Sequence, residues 1–272
     1  MTIFPDYTIG KLGGNVLCVK SLETGEEREF FPDLEKFIHP RWSPDGLSVI
    51  VMEWDKSGAN KIDIQTGNVS RVLFDDNIGP QPTEWSHDGK MMYYVLHERN
   101  TKSSRIIARN TENGKEKEIY RINGSLHIRL SPDGKWLAIQ EYYTVNTLVL
   151  DKIPSLIIMP SSGGEPKMLH KFESGIDIKA GAPFTWFPDG KYILYAMKSP
   201  EKEIKKWDLY RISPKGGTPE KLGLEMSGFL LNLSVHPNGR RIAFSVTEQS
   251  NAEIWVIENL KQEIERIYSQ NE

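Results

Sequence analysis

The 272-residue chain carries 34 Lys and Arg against 37 Asp and Glu, a formal net charge of −3 with the two signs interspersed. A nucleic-acid backbone calls for a concentrated basic surface, which is missing here, so nucleic acid is not an expected partner. No run of about 18 apolar residues occurs, so no membrane-inserted helix is expected. The single cysteine, Cys18, has no partner for an internal disulfide and reads as a small apolar residue in an alternating strand.

In chain order the first element is a hairpin, Val16–Lys20 and Glu27–Phe31 around the Thr24-Gly25 turn. A corner segment then recurs five times: Trp42-Ser43-Pro44-Asp45-Gly46, Trp85-Ser86-His87-Asp88-Gly89, Leu130-Ser131-Pro132-Asp133-Gly134, Trp186-Phe187-Pro188-Asp189-Gly190 and Val235-His236-Pro237-Asn238-Gly239. Its acid or amide positions are separated by 43, 45, 56 and 49 residues, the period expected of propeller blades. In the Ser-Pro-Asp-Gly form of the corner proline presets φ, aspartate tolerates the next position, and glycine takes the positive φ that closes a bulged hairpin. A strand apolar on both faces follows, such as Val49-Ile50-Val51-Met52, as suits a sheet covered on both sides. A second hairpin completes each unit, as at the Gly163-Gly164 and Gly216-Gly217 turns. The first hairpin has no inner pair before it.

The expected fold is therefore an all-β β-propeller of four-stranded antiparallel blades, five full and a partial sixth, in a single domain over 1–272. The partial blade is 15–31, and the full blades are 39–74, 82–121, 126–171, 182–223 and 231–269. The segment 259–270 reads equally as an amphipathic helix or an outer strand.

Catalytic signatures are sparse. There is no Gly-x-Ser-x-Gly elbow, no His-Glu-x-x-His, no phosphate loop and no dinucleotide fingerprint. Ser199 and Lys202 match Ser-x-x-Lys formally, but in a charged loop without supporting motifs. The chain is expected to be no enzyme and to need no cofactor or metal. Candidate ligand-binding residues lie at the start of the innermost strands, at a channel mouth. His39 and His127 sit six residues before the corner acid, and Arg41, Glu84 and Arg129 four before it. The alternating signs predict an Arg41–Glu84–Arg129 ion-pair ladder or a polar funnel for a ligand. Two imidazoles near acids are also the raw material of a metal site. Candidate partner-binding residues on the rim loops are Trp54, His97, Arg99, Tyr142 and Tyr143, the last two in the irregular segment 141–154. His170, closing an outer strand, is expected to be exposed.

The corners Trp42-Ser43-Pro44-Asp45-Gly46, Leu130-Ser131-Pro132-Asp133-Gly134 and Trp186-Phe187-Pro188-Asp189-Gly190, with outer hairpins such as Gly163–Leu169, resemble the WD40-like repeats of TolB-like bacterial propellers. The resemblance covers about residues 15–258 and does not include a separate amino-terminal α/β domain. It implies a non-catalytic module recognising a protein, peptide or small ligand, with an extracytoplasmic, periplasmic setting. Its alternatives are a propeller appendage of a longer peptidase- or kinase-linked chain, or a metal-dependent propeller lyase or hydrolase.

Overall fold

The computed structural model describes residues 17–20, 27–32, 34, 37–53, 58–74, 78–79, 83–98, 101, 103–142, 155–172, 183–198, 206–227, 229–236, 238–248 and 251–257. Trp54, Arg99, Tyr143 and the segment 259–270 lie outside these residues, as do the side chains of Cys18, His39 and Tyr142. The chain divides into two compact units, residues 1–128 and 129–272.

The first unit begins with the hairpin β1 (Leu17–Lys20) and β2 (Glu27–Phe30), paired antiparallel. The first full blade follows, with β3 (Phe37–Trp42), β4 (Ser48–Glu53), β5 (Gly58–Asp63) and β6 (Val69–Phe74) in sheet order. In the second blade two short described strands lie along the inner edge. Both β7 (Ile78–Gly79) and β8 (Thr83–Trp85) pair with β9 (Met91–Glu98), which continues to β10 (Ser103–Asn110) and β11 (Glu116–Asn123).

The third blade is β12 (Ser125–Leu130), which crosses the division, then β13 (Trp136–Tyr142), β14 (Ser155–Pro160) and β15 (Lys167–Lys171). The fourth is β16 (Phe184–Trp186), β17 (Ile193–Lys198), β18 (Lys206–Ile212) and β19 (Glu220–Ser227). Three strands of a fifth are described, β20 (Phe229–Val235), β21 (Ile242–Glu248) and β22 (Asn251–Ile257). The expected all-β architecture of four-stranded antiparallel blades is the one observed.

The corners explain why the blades start where they do. Ser43 Oγ donates to Asp45 Oδ1 at 2.5 Å, and the same oxygen accepts from the Leu47 N–H at 2.9 Å. Gly46, Gly89, Gly134, Gly190 and Gly239 all adopt φ of 68 to 71°, a conformation costly for any residue with a Cβ. The second and third corners repeat the hydroxyl–carboxylate bond, Ser86 to Asp88 and Ser131 to Asp133, each at 2.6 Å. In the fourth, Phe187 replaces the hydroxyl while the backbone bond Gly190 N–H to Phe187 O persists at 2.9 Å. In the fifth, His236 serves the turn itself, its Nδ1 accepting from the Asn238 N–H at 3.2 Å.

Central strands are buried on both faces, as their unbroken apolar runs require: Val49, Ile50 and Val51 on β4, and Ile193 to Ala196 on β17, are fully enclosed. Within the first unit, Leu17, Val19 and Phe30 of the hairpin pack on Val49, Val51 and Ile62 of the first blade. Ile50, Met52 and Ala59 of that blade meet Met92, Tyr94 and Ile107 of the second. In the second unit one continuous core runs from Ala138 through Tyr195 to Phe244. Each fully buried Leu, Ile or Phe side chain there contributes about 1.5–3 kcal/mol relative to exposure. The outer strand β11, by contrast, is largely exposed and carries Glu116, Lys117 and Glu118, charges that discourage edge-to-edge pairing.

Candidate ligand-binding site on the innermost strands

Arg41 and Glu84 reach the same place from two neighbouring blades of the first unit. On β3 the ladder to β4 shifts between Ile38 and Arg41: Ile38 opposes Met52 and Arg41 opposes Ile50. His39 and Pro40 together therefore face the single residue Val51, a β-bulge. Pro40 is suited to it, since it has no N–H to offer a ladder, and it is buried there. The bulge directs Arg41 toward β8, where Glu84 stands opposite Tyr93 of β9. Arg41 Nε lies 3.7 Å from Glu84 Oε1, with the two side chains 27% and 16% exposed. This separation makes an ion pair rather than a close hydrogen bond. Arg41 Nη1 donates to the Pro40 carbonyl at 3.0 Å.

The corresponding arginine of the third blade behaves differently. Arg129 stacks its guanidinium 5.6 Å from the centre of the Phe184 ring, and its backbone carbonyl accepts from Trp186 Nε1 at 3.0 Å. Thr185 occupies the position that Glu84 holds in the second blade. Trp85, the repeat equivalent of Trp186, has a buried indole N–H with no acceptor among the described residues, and so does Trp42. The structure thus brings Arg41 and Glu84 together and gives Arg129 an aromatic neighbour. His127 lies half-buried on β12; for His39 only its backbone place on β3 is described.

A second polar assembly surrounds His97 at the end of β9. Ser104 is buried and donates its only hydroxyl proton to the Gly124 carbonyl at 2.6 Å. It must then accept from His97 Nδ1, 3.0 Å away, which assigns the imidazole proton to Nδ1. Next in the strand, Glu98 accepts from Thr101 Oγ1 at 2.8 Å and from Ser103 Oγ at 3.0 Å. Arg105 lies 3.0 Å and Arg121 3.8 Å from the same carboxylate. The Thr101 and Ser103 hydroxyls, followed by the charges of Arg105 and Arg121, hold the Glu98 carboxyl below its usual range. Arg121 also pairs with Glu118 at 2.8 Å, so two acids and two arginines alternate across β9, β10 and β11. Of this network the sequence singled out His97 as a rim residue. Arg105, Glu118 and Arg121 join through strand register, with Arg105 opposite both Leu96 and Arg121. Counting outward from the Thr111–Asn113 turn is the signal that would have found them.

His170 corrects an expectation. It is half-buried rather than exposed, edge-on to Phe172 at 5.1 Å and 5.8 Å from Tyr195, because the fourth blade covers the outer strand that carries it. Among the described residues no group of three or more His, Cys, Asp or Glu side chains is arranged to hold a metal ion. No helix among them is long and apolar enough to cross a membrane.

No protein-family model matches the chain, and no curated protein matches it in sequence. Solved structures do match. TolB from Acinetobacter baumannii superposes with a TM-score of 0.69 at 16% identity, over 90% of this chain and 57% of that one. The chain therefore spans little more than half the length of that protein. An oligogalacturonate lyase in complex with manganese gives 0.68 at 14% identity, over 92% of this chain and 69% of the lyase. A chain of a nidogen/laminin complex gives 0.68 at 11% identity, over 96% and 89%. At such identities the shared property is the fold, and the three proteins differ in what they do. Four-stranded antiparallel blades opened by a recurrent corner, matched by these structures, make the fold of this chain a TolB-like β-propeller.

Proposed function

We propose that the chain is a non-catalytic binding module that recognises a protein, peptide or small ligand at the inner-strand end of its blades. The observation that carries this reading is the Arg41–Glu84 pair: two opposite charges, partly exposed, held 3.7 Å apart on neighbouring blades. Rigidly mounted charges of this kind give orientation and partner discrimination more than raw affinity. The His97–Glu98 assembly, with its fixed imidazole tautomer and hydroxyl-bonded carboxylate, is the second contact surface in this reading. The likeness to a chain from a nidogen/laminin complex supports a protein partner, and the likeness to TolB supports a bacterial, extracytoplasmic setting.

The likeness to a manganese-bound lyase favours a second reading, in which His39 and His127 serve a metal-dependent reaction. One set of measurements separates the two. The purified chain is cross-linked in a native bacterial lysate, and its bound metal is determined by mass spectrometry. The binding reading expects a discrete adduct that disappears in Arg41→Glu with an unchanged melting temperature. It fails if the adducts of wild type and Arg41→Glu are identical. Stoichiometric manganese or zinc that is lost in His39→Ala would move the assignment to the lyase class.

A further inference from the structure

The donor count of Arg41 says more about the ligand. A guanidinium presents five N–H donors in a planar fork. Among the described residues Arg41 uses one of them in a hydrogen bond, Nη1 to the Pro40 carbonyl, and rests the Nε edge loosely against Glu84. A well-made arginine–carboxylate pair is shorter, often bidentate, as Arg211 shows with Glu220 through Nε at 2.5 Å and Nη2 at 2.9 Å. The difference has a structural origin. Arg211 and Glu220 face each other in one hairpin, whereas Arg41 and Glu84 extend from separate sheets, and the β3 bulge fixes the arginine backbone. Glu84 supplies the complementary charge without closing the fork.

We infer that Arg41 is the anchor for a carboxylate of the ligand, and that Glu84 is the internal group which that carboxylate displaces. The inference rests on the binding reading above and names its ligand class: a monoanionic carboxylate, from a peptide C-terminus or from a small organic acid. The planar carboxylate matches the fork bidentately. Glu84, remaining beside the site, penalises a more highly charged anion such as a phosphate monoester. An internal carboxylate that must be displaced also sets a threshold, since a neutral carbonyl group competes poorly with it.

The test uses the full chain and three probes: acetate, N-acetyl-alanyl-alanine with its free carboxylate, and the same dipeptide as its C-terminal amide. The readout is the Arg41 Nε–Hε resonance in nitrogen-15 spectra, assigned by its loss in Arg41→Lys. Saturable shifts with the two carboxylates and none with the amide are expected. In Glu84→Gln the carboxylates should bind about two- to fivefold more tightly, the range for losing one weak ion-pair competitor. Arg41→Met should abolish binding, followed there through the probe's own resonances, and Arg41→Lys should keep a weakened remnant. A dipeptide several-fold tighter than acetate identifies a peptide terminus as the source, and equal affinities identify small organic acids. Equal shifts with the amide and the free acid, no shift with any probe, or weaker binding in Glu84→Gln would each overturn the inference. If that happens while the lysate adduct still depends on Arg41, the binding reading stands and only its carboxylate form is lost.

Discussion

The junction of the first and second blades and the junction of the third and fourth are built from the same repeat, yet they are finished differently. At the later junction Arg129 lies over Phe184, and Trp186 donates across to the Arg129 carbonyl. At the earlier one Thr83 stands where Phe184 would be, so Arg41 has no ring there to cover. It turns to Glu84, and the indole N–H of Trp85 has no acceptor among the described residues. Among the described residues the inner edge of the second blade carries two short strands, β7 and β8, and that of the fourth carries β16. At the later junction the protein pairs the indole N–H and gives the arginine a ring to lie over. The other keeps donors in reserve, which is where a binding role fits without dismantling the scaffold.

The largest expected effect belongs to the closed junction. Phe184→Ala removes a buried ring and the surface under Arg129, and should cost about 3–5 kcal/mol in urea unfolding. A loss below about 1 kcal/mol would show that the stacking and packing there are redundant. A sharper contrast comes from the two tryptophans. Trp186→Phe removes the indole hydrogen bond to the Arg129 carbonyl and should cost about 1–2 kcal/mol beyond any packing change. Trp85→Phe deletes no indole hydrogen bond among the described residues and should cost clearly less. Equal losses for the two substitutions would erase the distinction between the junctions.

Acid should act on the corners unevenly. The Ser43, Ser86 and Ser131 hydroxyls, followed by the next backbone N–H groups, hold Asp45, Asp88 and Asp133 below the usual carboxylate range. A depressed carboxyl pKa contributes stability that is present above the unfolded value, near 3.8, and lost as pH falls through the folded one. Ser131→Ala should therefore raise the Asp133 pKa toward 3.8 in carbon-13 titrations and move acid unfolding to higher pH. Asp133→Asn should remove the sensitivity at that corner. An acid midpoint unchanged by both variants would show that other groups govern acid unfolding. The smallest effect is expected at the open junction, where Glu84→Gln should change stability by about 0–1 kcal/mol, less at high salt. A larger loss would mean that the pair holds the blades together.

The corners and the central strands were legible in the sequence because their causes are local. All the bonds that close the first corner fall between Ser43 and Ser48, and three consecutive buried residues on β4 write themselves as Val49-Ile50-Val51. Arg41 and Glu84 were legible because the repeat assigns them the same offset from the corner. The Glu98–Arg105–Glu118–Arg121 network was not, because its members meet only once three strands are in register. His170 was misjudged for a related reason. Its own strand is outermost, but the aromatic rings that cover it belong partly to the next blade. Contacts written within six residues can be read from a chain, whereas contacts between repeats depend on which side chains happen to face one another.

The charged outer strand of the second blade has a consequence for the molecule in company. Glu116, Lys117 and Glu118 occupy three successive positions on its free border, so another copy approaching in register would set like charges against like or strip water from ions. In a crowded compartment that border resists fibre growth.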